Sequence, residues 1–155
     1  MPYNQNQRRG NTVDGGPPVF TQQQWRRDPV YRNTMNDLQT NFRNYLSQNT
    51  TNKNQLAQDF DLTTKRLGQD QNLAVRNQNE DYAARGLYGS GMYGQANEEL
   101  LGKYADQLAD AGTSNQRNAG QLVTDLGNAR TLLNQQKQAA RLAAVRRMAE
   151  KYGIR

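Results

Sequence analysis

From Tyr31 onward the apolar residues of this chain recur at steps of three and four: Tyr31, Met35, Leu38, Phe42, Tyr45/Leu46, Leu56, Phe60, Leu67 and Ala74. Side chains at these steps share one face of an α-helix, so the spacing predicts a long helix with a single apolar stripe. Asn49, Lys53, Thr63 and Asp70 extend the same three-and-four register, so polar residues interrupt the seam. Asp28-Pro29 marks the start. An Asp caps free N–H groups, and Pro fits the first helical position because it has no N–H to lose. The predicted first helix spans 28–85, and no proline follows Pro29 to break it.

A second stripe reads Leu101, Tyr104, Leu108, Ala111, Asn115, Leu122, Leu126, Ala129, Leu133, Gln136, Ala140 and Ala143. It predicts a second helix over 95–155. Gly102, Gly112, Gly120 and Gly127 lie inside it, each costing up to about 1 kcal/mol against alanine. Two readings of these glycines stand side by side: close approach of another backbone, or local weakness and a kink near Gly112. Between the helices, 86–94 is rich in glycine, and Gly86, Gly89, Ser90 and Gly91 carry the turn. Glycine adopts left-handed geometry without steric cost, and Ser90 is a suitable cap for the helix that follows. The fold class is therefore all-α, with two long helices of similar length joined by a Gly-rich turn. They form either an αα-hairpin or hinged, collinear helices, and the hairpin is preferred. Residues 1–27 show neither helical nor strand period and read as an extended low-complexity arm, ordered only where a neighbour holds it. Trp25 is its anchor candidate.

Composition changes this picture in one respect. The hydrophobic fraction is 34%, and asparagine and glutamine make up about a quarter of the chain. Leu, Ile, Val and Phe together stay below the roughly one-fifth level under which chains tend not to fold alone. Burial gains about 25 cal/mol per Å², while ordering a residue costs on the order of 1–2 kcal/mol. The seams are too narrow to close on themselves, so Phe42, Leu46, Leu56, Phe60, Leu67, Leu101, Leu108, Leu122, Leu126 and Leu133 are expected to pack against partner helices in a coiled-coil-like homo-oligomer. Asn49, Lys53 and Gln136 would fix register at some cost in stability.

The net charge of +6 is unevenly placed: +3 over 1–32, −2 over 33–136 and +5 over 137–155. The basic end (Arg141, Arg146, Arg147, Lys151) suits a helix C-terminus through the dipole, and could equally meet acidic protein or nucleic acid. No stretch reads as a membrane span or a leader peptide.

Candidate chemistry is sparse. The chain has no His and no Cys, so thiolate metal sites and His- or Cys-based catalysis are excluded. The glycine cluster lacks the Gly-Lys-Ser/Thr of a phosphate loop, since Gly91-Met92-Tyr93 stands there. The carboxylate pairs Asp59/Asp61, Glu80/Asp81, Glu98/Glu99 and Asp106/Asp110 read as solvated helix face. No catalytic, cofactor, metal or small-molecule site is expected.

The segment Asp81-Tyr82-Ala83-Ala84-Arg85-Gly86-Leu87-Tyr88-Gly89-Ser90-Gly91-Met92-Tyr93 contains an Arg-Gly-Leu-x-x-Ser-Gly motif. It resembles the motif of small helical virion proteins of tailed bacteriophages, particularly minor tail or tail-tip proteins of phages infecting actinobacteria. The resemblance implies Gln/Asn/Ala-rich helices on both sides of the motif and a short irregular N-terminal arm. It carries no catalytic residue. The expected function is then a non-enzymatic structural subunit of the virion tail tip or baseplate, made in the host cytoplasm and packed against itself and other virion proteins. Two alternatives are a DNA-contacting internal, neck or ejected virion protein, and a bacterial helical scaffold or adaptor.

Overall fold

A computed structural model describes residues 24–153. Residues 1–23 of the proposed 1–27 arm and the final two residues lie outside the described residues. A 3-10 turn over Gln24–Arg27 is followed by α1 (Pro29–Ala84) and α2 (Gly91–Lys151). Among the described residues there is no strand. The last residues assigned to the arm therefore form a turn of helix rather than extended chain.

Capping explains where each helix begins and ends. Val30 N–H donates to Asp28 Oδ1 at 3.0 Å, and Arg32 N–H donates to the Asp28 carbonyl at 3.1 Å. Asp28 thus caps the helix with its side chain while its carbonyl receives a bond of the first turn. At the far end of α1, Gly86 N–H donates to Ala83 O at 3.0 Å and Leu87 N–H to Tyr82 O at 2.9 Å. This pair of bonds is a Schellman ending, and it needs the left-handed φ of +66° at Gly86. Ser90 N–H donates to Leu87 O at 3.0 Å, closing a four-residue turn with Gly89 at φ +84° in its third position. Only glycine takes that value cheaply, as a type II turn requires. Ser90 then caps α2: Tyr93 N–H donates to its Oγ at 3.2 Å.

The chain divides into two units, one built from Asn41–Leu132 and the other from the residues before and after it. In the Asn41–Leu132 unit the helices run antiparallel as a hairpin. Asn49 Nδ2 donates to the Leu122 carbonyl at 3.1 Å, and Tyr93 Oη donates to Asn79 Oδ1 at 2.6 Å. The hairpin arrangement is therefore the one adopted, not the collinear one.

Burial shows how thin the joint is. Only Trp25, Leu133, Ala144 and Asp28 are buried among the described residues, and no large side chain is fully enclosed. Phe42, Leu56, Phe60, Leu67, Leu122 and Leu126 are half-buried, whereas Leu46, Leu101 and Leu108 are exposed.

The seam also differs in register from the one the sequence predicts. Its second half runs through Phe60, Thr64, Leu67, Gln71, Gln78 and Tyr82, while Thr63, Asp70, Lys53 and Gln136 are exposed. Half-buried positions repeat as Asn49, Phe60, Gln71, Tyr82 and as Tyr93, Tyr104, Asn115, Leu126. That spacing is near 3.67 residues per turn, closer to a straight helix than the 3.5 of a heptad.

A Cβ added at Gly102, Gly112, Gly120 or Gly127 would meet no atom within 4 Å, so among the described residues no backbone of the chain itself approaches these glycines.

Candidate assembly surfaces

The unit that carries the chain ends is held by a clasp. Asp28, 6% exposed, accepts two hydrogen bonds from Arg147 on Oδ2, from Nε at 2.9 Å and Nη2 at 2.6 Å. Burial by itself would raise the Asp28 pKa. The Arg147 hydrogen bonds and charge, with backbone N–H groups of Val30 and Tyr31, outweigh burial and hold it below the usual 3.8. Next to this pair, Trp25 is 7% exposed and packs edge-on against Tyr31, their ring centroids 4.8 Å apart. Two guanidinium groups cover it: Arg26 at 5.3 Å and Arg141 at 5.1 Å from the ring centroid. Both are within cation–π range.

This divides the predicted basic end in two. Arg147 and Arg141 are engaged by Asp28 and Trp25, while Arg146 and Lys151 are exposed. Trp25 anchors the chain to its own second helix, a role that composition does not reveal. Beside the clasp, Thr34, Leu38, Gln136, Ala139, Ala140 and Ala143 line a shallow groove of about 460 Å³. Three alanine methyls and a leucine form its apolar part, and Arg147 also lines it.

In the other unit, the turn is stiffened by three tyrosines. Tyr93 packs on Tyr82 with centroids 5.5 Å apart and on Tyr88 at 4.9 Å. Burial and the neighbouring Tyr88 hydroxyl push the Tyr93 phenol above its ordinary pKa of 10.0. Gly86, Gly89 and Ser90 form the turn as the sequence predicts, whereas Gly91 is already the first residue of α2, which begins four residues before the predicted start at 95. Its tip presents Tyr88 at 61% and Met92 at 67% exposure.

Along the same unit the helices leave grooves lined by Leu56, Phe60 and Leu122 with Asn52, Asp59, Asn115 and Asn118. Three buried amide oxygens, Gln78 Oε1, Asn97 Oδ1 and Asn115 Oδ1, have no hydrogen-bond partner among the described residues. Each such orphan costs on the order of 1–3 kcal/mol.

Comparison with known protein families, characterised proteins and solved structures finds no match. The surfaces are therefore read from their own residues. Glu80 and Asp81 are committed to Arg76 and Arg85, each at 2.9 Å, and Glu99 accepts a hydrogen bond from Gln95. Among the described residues no three acidic groups gather as they would for a metal ion. No described helix is long and apolar enough to cross a membrane. What remains is apolar side chains on open helix surface, with Leu62 at 49%, Leu73 at 57%, Leu101 at 39%, Leu108 at 43% and Val123 at 71% exposure.

Proposed function

We propose that this chain is a non-enzymatic structural subunit of a bacteriophage virion, at the tail tip or baseplate, working by helical packing with copies of itself and with neighbouring virion proteins. The observation that carries the reading is the uncovered hairpin. Two helices that enclose no large side chain, yet show Leu101, Leu108 and Val123 to solvent, gain further burial by adding helices alongside. The Arg85-Gly86-Leu87-x-x-Ser90-Gly91 motif supports the virion setting, because it builds the turn itself rather than lying elsewhere in the chain. The test is incorporation. Leu108→Asp puts a charge on the exposed face without entering the seam of the hairpin, and is expected to abolish recovery of the chain in purified particles. Gln107→Ala, also exposed, should be recovered normally. Full recovery of the Asp variant, or absence of the wild-type chain from particles, overturns the proposal.

A second reading, contact with virion DNA, draws on exposed Arg26, Arg27, Arg32, Arg146 and Lys151. The engagement of Arg141 and Arg147 within the chain counts against it. Retention on DNA that falls steeply between about 50 and 200 mM salt would favour it.

A further inference from the structure

We propose that the turn of one copy docks into the basic groove of the next copy, so that the protein associates head to tail. This goes beyond the lateral packing proposed above and does not depend on it.

The groove lies beside the Asp28–Arg147 clasp. It is largely apolar, formed by Leu38, Ala139, Ala140 and Ala143 with Thr34, Gln136 and Arg147, and its volume of about 460 Å³ is within the roughly 300–1,000 Å³ of ligand-binding clefts. The surrounding unit is strongly positive. Its described residues, 24–40 and 133–153, carry eight basic and three acidic side chains, and Asp28 among the acids is already neutralised by Arg147. An occupant of this groove therefore has an apolar tip and an acidic collar.

The turn of this same chain has both. Tyr88 and Met92 stand more than 60% exposed at its tip, and Leu87 beside them is 38% exposed. The tip is rigid as well as apolar. Tyr88 is braced on Tyr93, and Tyr93 in turn is tied to Asn79 by its hydroxyl, so little side-chain freedom is lost on docking. Behind it, residues 76–110 hold six acidic and three basic side chains; with Glu80 and Asp81 paired to Arg76 and Arg85, the excess negative charge is carried by Glu98, Glu99, Asp106 and Asp110 against Lys103. Methionine and tyrosine seated among alanine methyls, ringed by opposite charges, match the usual division of an interface into apolar centre and polar rim.

The contact is heterologous, since each copy gives its turn and receives at its groove. Such a contact does not end at two copies unless it closes into a ring. It also weakens with salt, because the exposed charges around it are screened within about 8 Å at 0.15 M.

The absence of cysteine makes the test direct. In the chain carrying Gly94→Cys, one turn into α2 behind the tip and with open space around it, and Ala143→Cys, a short thiol-specific cross-linker should produce a ladder of trimers, tetramers and larger species at about 50 mM salt. The ladder should fade at about 0.5 M salt. It should also be lost when Met92→Ser is added, a change at an exposed position that leaves the hairpin intact. Putting Leu108→Asp into the doubly substituted chain should leave the ladder in place, which separates this contact from lateral packing. Products that stop at dimer would show a closed, two-fold pair, and cross-links joining Gly94→Cys to Gly94→Cys in a singly substituted chain would show like-to-like contact of the turns; either would overturn head-to-tail association. So would a ladder indifferent to Met92→Ser.

Discussion

Asp28 illustrates how much one side chain can hold together. It caps α1, pairs with Arg147 across 119 positions of sequence, and does both while nearly buried. Its pKa is lowered in the folded chain, so the unfolded chain takes up the proton more readily. The stability from this group is present above the unfolded value of about 3.8 and is lost as pH falls through the lower folded value. Asp28→Asn keeps a capping oxygen but removes the charge. It should destabilise the unit by about 1.5–3 kcal/mol, the range for hydrogen bonds to charged groups, and abolish this acid-dependent loss below pH 4. Amide exchange at Val30 and Arg32, followed against pH, checks both. Asn115 predicts the opposite sign. Its orphaned Oδ1 sits on the seam, so Asn115→Leu should raise the melting temperature by relieving about 1–3 kcal/mol of unsatisfied polarity. The Asp28 cap was legible from the Asp-Pro pair, whereas its Arg147 partner was not. Nothing local in either segment marks a pair so far apart.

At the scale of the elements, both helices and the turn were readable because their signals are local. Three-and-four spacing, Asp-Pro at the start, and glycines with Ser90 at the break each act within a few residues. Two glycines now separate by role. Gly86→Ala forces alanine to φ +66° and should cost about 1–2 kcal/mol. Gly112→Ala, in regular helix with open space around it, should gain up to about 1 kcal/mol. Thermal melts of the two variants at one protein concentration give the comparison. A loss on Gly112→Ala would mean that another copy approaches that glycine. The phase of the seam was harder to read. Steps of three and four in strict alternation drift off the helix by about 20° per heptad. The half-buried face thus passes through Thr64 and Gln71 where alternation points to Thr63 and Asp70.

For the whole molecule, the decisive property is the small amount of apolar surface the hairpin covers by itself. If other chains supply the rest, helicity and melting temperature should rise with protein concentration over the micromolar range. Circular dichroism melts at several concentrations measure this, and a midpoint independent of concentration would contradict assembly through the exposed leucines.

Sequence alone determined the helical content, the break at the glycines, the starved core and the charge asymmetry, because each depends on composition or on neighbours a few positions apart. Tertiary structure alone decided that the two helices fold back on one another, that Trp25 and Asp28 lock onto α2, and which cations are left facing water. Those outcomes depend on residues brought together from distant parts of the chain. Their energies are shared between side chains that carry no sign of each other until the backbone has turned at Gly86 and Gly89.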